Sequence, residues 1–191
     1  MGIFNPKNRF NKMFEGYEQR TEYDRYGNES RKYVYVSNYY EPDMTETQFR
    51  LRKLINVLLL IVAIAGNIVV GIIKDIPMNR AKYFGIAQCL SILALIAAAV
   101  FIVAHLMTPY KMEIHQYNTA HEKMRVVTLI SWLVMAAVAV CSIVSIFVYI
   151  STFNITYIFW ALAYVIAALS IFFVWFLEKN TDYYILPPEH F

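Results

Sequence analysis

The sequence predicts an all-α integral membrane protein, a bundle of four transmembrane helices. A small cytoplasmic N-terminal region precedes it, containing a short amphipathic helix and a β-hairpin. Two observations carry the prediction. All 17 basic and 14 acidic residues lie outside 54–73, 83–107, 126–150 and 155–177. At about 1.5 Å rise per residue each of these runs reaches about 30 Å or more, the thickness of a bilayer's hydrocarbon core. Hydrophobic residues make up 59% of the chain and charged residues 16%, against about 45–50% and about 25% in soluble domains. A water-soluble fold of 191 residues could not supply the shell needed to bury four such helices.

Three regions follow: 1–45 on the cytoplasmic side, 46–178 as the membrane domain, and 179–191 as a cytoplasmic tail. In the first, Phe4, Phe10, Met13, Phe14 and Tyr17 fall near helical spacing with Lys7, Arg9 and Lys12 between them. The segment 4–17 is therefore expected to lie in the headgroup layer or to pack on the cytosolic face. Gly27–Asn28 reads as a two-residue II′ turn joining strands over 21–26 and 29–36. That turn sets Asp24 opposite Arg31, Glu22 opposite Tyr33 and Thr21 opposite Val34. The hairpin then needs a surface to dock on, since isolated hairpins are marginal in water. Tyr39-Tyr40-Glu41-Pro42 is expected to break the chain before the first long helix. Thr45 with Gln48 forms a capping box, so that helix starts near Glu46 and carries Arg50, Arg52 and Lys53 to the lipid boundary.

The run 54–73 opens the membrane domain, with Asn67 singled out as its strongly polar side chain. Asp75 and Pro77 break the short connection 74–82. The connection 108–125 is longer and charged, and 151–154 is a bare turn. Small residues four apart predict close helix contacts at Ala94 and Ala98, at Ala137, Cys141 and Ser145, and at Ala163 and Ala167. Leu95–Ala98 and Val165–Ala168 echo one another, as a duplicated two-helix unit would. Cys89 and Cys141 read as unbridged apolar residues.

Four spans put both termini on one side, together with 108–125, and that side holds 14 Lys and Arg against three on the other. The positive-inside rule makes it the cytoplasm, and the compact loops suggest the cytoplasmic membrane. Tyr83, Phe84, Tyr149, Tyr157 and Trp160 are expected at the outer interface, and Tyr110, Trp132 and Trp175 at the inner. The sequon Asn154-Ile155-Thr156 lies against the membrane in a minimal turn and is taken as coincidence. Neither a signal-peptide run nor a myristoylation motif is read in the first residues, since Pro6 stands where that motif wants Ser or Thr.

Catalytic templates fail on spacing. His121-Glu122-Lys123-Met124-Arg125 opens like a zinc-protease motif, but Arg125 occupies the second ligand position. His105, His115 and His121 are the remaining imidazoles near one boundary; they define a membrane-enzyme alternative without ligand spacing, so no metal or cofactor is expected. The polar groups within the spans, Asn67, Gln88, Ser142 and Ser145 (with Ser91 and Ser170), suit interhelical hydrogen bonds better than an ion path. An oligomeric channel or transport component is the first alternative, and the membrane enzyme the second. The leading expectation is a scaffold or accessory subunit that touches lipid and another membrane protein or a second copy of itself, but no nucleic acid. Its contact surface is expected at Tyr23, Tyr33, Tyr35, Tyr39 and Tyr40.

Overall fold

The computed structural model describes residues 15–23, 29–73 and 76–188, with Glu22, Tyr23, Ser30 and Arg80 described in backbone only. Among these residues four helices are long and apolar enough to cross a membrane. They are α1 (Glu46–Ile72), α2 (Lys82–Leu106), α3 (Lys123–Val148) and α4 (Ile155–Lys179). α1 starts where Thr45 accepts from the Gln48 backbone and Gln48 accepts from the Thr45 backbone, the reciprocal cap its sequence calls for. α4 starts on Asn154, whose carboxamide oxygen accepts from the backbone and hydroxyl of Thr156. Capping thus accounts for the Asn-x-Thr spacing there.

α4 is the central helix, packed between α1 and α3, and α2 completes the bundle mainly against α3. Gly66 permits the α1–α4 approach. A Cβ on it would stand 2.9 Å from the Ala163 carbonyl oxygen and 3.3 Å from the Ala167 Cβ. Ala98 is likewise fully buried, and Ser131 of α3 donates to the Ala94 carbonyl of α2 at 2.9 Å. The third small-residue stripe behaves differently. Ala137 and Cys141 face outward and only Ser145 is buried, so this stripe is not a helix contact. Cys89 and Cys141 are both free and exposed.

At one end of the bundle the α1–α2 connection folds inward through a 3₁₀ turn, Pro77–Arg80. Met78 is fully buried there, and Trp160 donates to the Asn79 carboxamide oxygen at 3.0 Å. Phe84, Trp160 and Tyr164 pack ring against ring under that turn. Phe84, Tyr157 and Trp160 are therefore core residues, not the interfacial belt their positions suggested. Indole and phenol tips find partners as readily inside a bundle as at a headgroup layer.

The opposite end carries two small antiparallel sheets. β1 (Tyr17–Tyr23) pairs with β2 (Glu29–Tyr35), running from Tyr17 opposite Tyr35 to Tyr23 opposite Glu29. The hairpin is where it was expected, but its register is not. Thr21 faces Arg31 instead of Val34, and Glu22 faces Ser30 instead of Tyr33; Asp24 lies outside the described residues. The expected Gly27–Asn28 turn also lies outside the described residues; the observed pairing is an odd slip from the expected one and changes which side chains share a face. In the observed register Tyr17, Tyr33 and Tyr35 fall on one face, a gathering of aromatics that two opposed charges did not outweigh. Most of the segment 4–17 also lies outside the described residues. Its end, Glu15 to Tyr17, is a turn entering β1 and not helix. Gly16 takes φ +88° there, and a Cβ on it would meet Ser37 and the Tyr35 ring at under 3 Å.

The second sheet has β3 (Tyr39–Pro42) between β4 (Met112–Glu113) and β5 (Tyr183–Leu186). Tyr39-Tyr40-Glu41-Pro42 is thus a central strand and not merely a break. Pro42 sits at its last position, where a missing N–H costs no ladder bond, and Asp43 N donates to Asp182 O at 2.9 Å instead. The sheet draws the segment before α1, the α2–α3 connection and the segment after α4 to the same end of the bundle. After β4 a helical turn, Ile114–Tyr117, runs through a π turn, Asn118–Glu122, directly into α3.

Candidate functional site

The end of the bundle beneath the three-stranded sheet holds a buried ionisable cluster. Glu178, in the last turn of α4, is 1% exposed. A carboxylate in that place faces two costs, desolvation and the negative end of its own helix dipole. Three side chains from other elements answer them. Asn56 of α1 donates to Glu178 Oε1 at 2.7 Å. His121 of the π turn sets Nδ1 at 3.3 Å from Oε2. His105, in the last turn of α2, brings Nε2 to 3.6 Å from Oε1. Both imidazoles are almost fully buried. The π turn adds a residue to the usual helical spacing just before α3 and so re-aims His121 and Ala120 inward.

Lys53 and Arg52 flank the cluster, each on the C-terminal end of a different helix. Lys53 Nζ donates to Thr108 O at 2.5 Å and lies 4.3 Å from the Phe49 ring centroid, with Phe49 edge-on to His105. Arg52 Nη1 donates to Leu177 O at 2.9 Å and to the Thr181 hydroxyl. Cations at these positions satisfy orphan carbonyls and oppose the dipoles of α2 and α4. Two neighbours in the sequence thereby hold two distant helices. The roof consists of Tyr183, whose ring lies 4.4 Å from His121, and of Tyr117, stacked on Tyr40 at 4.3 Å. Burial, then the Glu178 carboxylate, push the Tyr183 hydroxyl well above the usual phenol range, and it stays protonated. Asn56 Oδ1 and the Tyr183 hydroxyl have no hydrogen-bond partner among the described residues, so the cluster retains unused polar atoms.

The hairpin docks beside this roof on the α2–α3 connection. The Tyr17 hydroxyl donates to Glu113 at 2.6 Å, and the Ile114 N–H donates to the Tyr35 hydroxyl at 2.9 Å. Burial, then the Glu113 carboxylate, push the Tyr17 hydroxyl up to about 12. Of the five tyrosines expected as a contact surface, Tyr35 and Tyr39 pack with their rings tilted by 57°, and Tyr40 stacks on Tyr117. Tyr33 is 53% exposed, and Tyr23 is described in backbone only.

Within the spans, Ser91 donates to Asn67 Oδ1 at 2.8 Å, linking α2 to α1. Gln88 and Asn67 edge an apolar groove of about 420 Å³ between those helices, walled by Ile64, Ile68, Ile92 and Ile96. Ser142 and Ser145 donate to Ala139 O and Cys141 O of their own helix, at 2.7 Å each. His115, on the turn before Asn118, takes no part in the carboxylate's contacts. Among the described residues no group of three or more His, Cys, Asp or Glu is arranged to hold a metal ion.

Sequence reasoning grouped His105 and His121 near one boundary, with His115, but missed Glu178 and Asn56, which join them. Glu178 stands one residue past the apolar run and reads as a solvated end. Asn56 is a second carboxamide within 54–73, overlooked beside Asn67; it lies 11 residues before it, on the same face of the helix. No family model, curated protein or solved structure matches this chain.

Proposed function

We propose that this is a multi-pass membrane protein with both ends in the cytoplasm, working as a scaffold or accessory subunit through its capped end. The cap as a contact surface carries this reading. Three segments far apart in sequence build a small sheet whose outer strand, β5, leaves Tyr184 58% and Ile185 62% exposed. Exposed aromatic and aliphatic side chains on an open strand edge suit a protein partner, another membrane protein or a second copy. The basic excess on that side supports the cytoplasmic assignment. Lipid is the other partner, since Leu, Ile, Val and Phe form most of the exposed surface of the four helices.

Truncation tests the reading. Removing 1–38 spares β3, so the shortened protein inserts normally. If the hairpin belongs to the contact, the partner that co-purifies with the full chain is lost, and Ile185→Glu weakens it as well. Recovery of the same partner at the same yield from both variants overturns the proposal.

The Glu178 cluster favours one second reading, proton-linked transport. Ionisable groups buried against a membrane domain commonly serve such a path. Reconstituted vesicles distinguish the two: a proton leak abolished by Glu178→Gln supports transport, and sealed vesicles support the contact role.

A further inference from the structure

We propose a binding site for the headgroup of a zwitterionic, amine-bearing phospholipid, centred on Arg52. The inference rests on the membrane reading above. A cavity of about 460 Å³ opens beside α1 and the end of α4, and its walls change character along the helix axis. Ile55, nearly one turn further into the bundle than Arg52, makes the deeper wall apolar, with Leu51 and Leu177 beside Arg52 adding to that character. The wall away from it is polar and includes Asp43 and Asp182. Arg52 lies between the two.

Arg52 stands two residues before the apolar run 54–73, at the depth where lipid phosphates meet a helix end. Its Nη1 is engaged by Leu177 O and Thr181, and it forms no ion pair among the described residues. Nε and Nη2 therefore remain for a phosphate, and a guanidinium recognises phosphate through two parallel N–H donors. Asp43 and Asp182 are both exposed at the mouth, where a purely anionic headgroup would meet like charge. An ammonium tethered beyond the phosphate meets the opposite charge instead. The order along the cavity, apolar, cationic, anionic, is the complement of acyl chain, phosphate and ammonium. Asp43 also holds the Tyr184 hydroxyl, which leaves Asp182 as the freer carboxylate.

Native mass spectrometry of the full-length protein in detergent tests this, with phosphatidylethanolamine, phosphatidylcholine and phosphatidylglycerol supplied in equal amounts. The expected result is retention of phosphatidylethanolamine about tenfold over the other two: the phosphate contact is common to all three, and the charge-assisted N–H bond to Asp182, which phosphatidylglycerol and the quaternary phosphatidylcholine cannot make, supplies the difference. Arg52→Gln removes that retention. Arg52 also caps α4, so Asp182→Asn is the second variant. It leaves those bonds intact and is expected to erase the preference over phosphatidylglycerol without loss of thermal stability. Equal retention of all three lipids, preference for phosphatidylglycerol, or insensitivity to both substitutions overturns the site. Competition by inorganic phosphate as strong as by the lipid also overturns it, by assigning the cavity to a soluble anion. Failure of the membrane reading looks different: the protein then stays monodisperse without detergent and does not float with vesicles.

Discussion

Removing the carboxylate of Glu178 is the sharpest perturbation the bundle offers. Glu178→Ala deletes the acceptor of the Asn56 bond at 2.7 Å and the partner of His121 at 3.3 Å. It leaves the Asn56 amide and two imidazoles buried without their shared counterpart. Breaking one side of a buried charged cluster costs about 3–5 kcal/mol, most of it from the groups left behind. At about 2–4 °C per kcal/mol for a chain of this size, the expected loss of Tm is roughly 6–20 °C. Glu178→Gln keeps an oxygen for Asn56 and nearly the same side-chain volume, so its cost is about 1–2 kcal/mol. Thermal unfolding followed by near-ultraviolet circular dichroism in a mild detergent reads both, because Trp132, Trp160 and Trp175 report on helix packing. If Glu178→Ala stays within about 2 °C of the parent, or if Gln costs as much as Ala, the cluster does not hold the capped end as argued.

Three more outcomes follow from the packing. Gly66→Val pushes into the Ala163 carbonyl, 2.9 Å from a Cβ there, and overpacking predicts a loss of about 1–3 kcal/mol in the same melt. Ser91→Ala removes the donor to Asn67 and costs about 0.6 kcal/mol, the usual worth of an interhelical bond in lipid. Hairpin docking depends on pH through Tyr17. Its folded value of about 12 lies above the usual 10, so the contact is complete below pH 10 and is lost as pH rises through about 12. Limited proteolysis at about pH 9 and again at about pH 12 should show the hairpin freed only at the higher value, and Tyr17→Phe should remove that dependence.

How much of this was legible in the sequence depends on the range of the signal. The long helices were legible because a hydrocarbon layer demands the exclusion of charge over about 20 residues, and little else does. Thr45–Gln48 was legible because a cap is local. The hairpin's existence could be read from its strand formers, but its register could not, since the charge pairing of Asp24 with Arg31 was weighed above the shared face of Tyr17, Tyr33 and Tyr35. β3, β4 and β5 contribute two to four residues each, too few for any periodicity to show. Their pairing is set by where the helices end. The candidate site suffered for the same reason: Glu178, His105 and His121 occupy the ends of elements, where a sequence reads as solvated and a fold can make it interior. Trp160 and Phe84 erred in the opposite direction, looking interfacial by position while the turn at Met78 folded over them.

The central strand of the roof has a consequence for biosynthesis. Tyr39–Pro42 leaves the ribosome before any of the four long helices, yet its partner Tyr183–Leu186 follows the last of them. One edge of the strand gains Met112–Glu113 once the second long helix is made, but the other edge stays open until the last strand emerges. Closure is therefore the final act of maturation, and it registers in a single event that every helix has arrived.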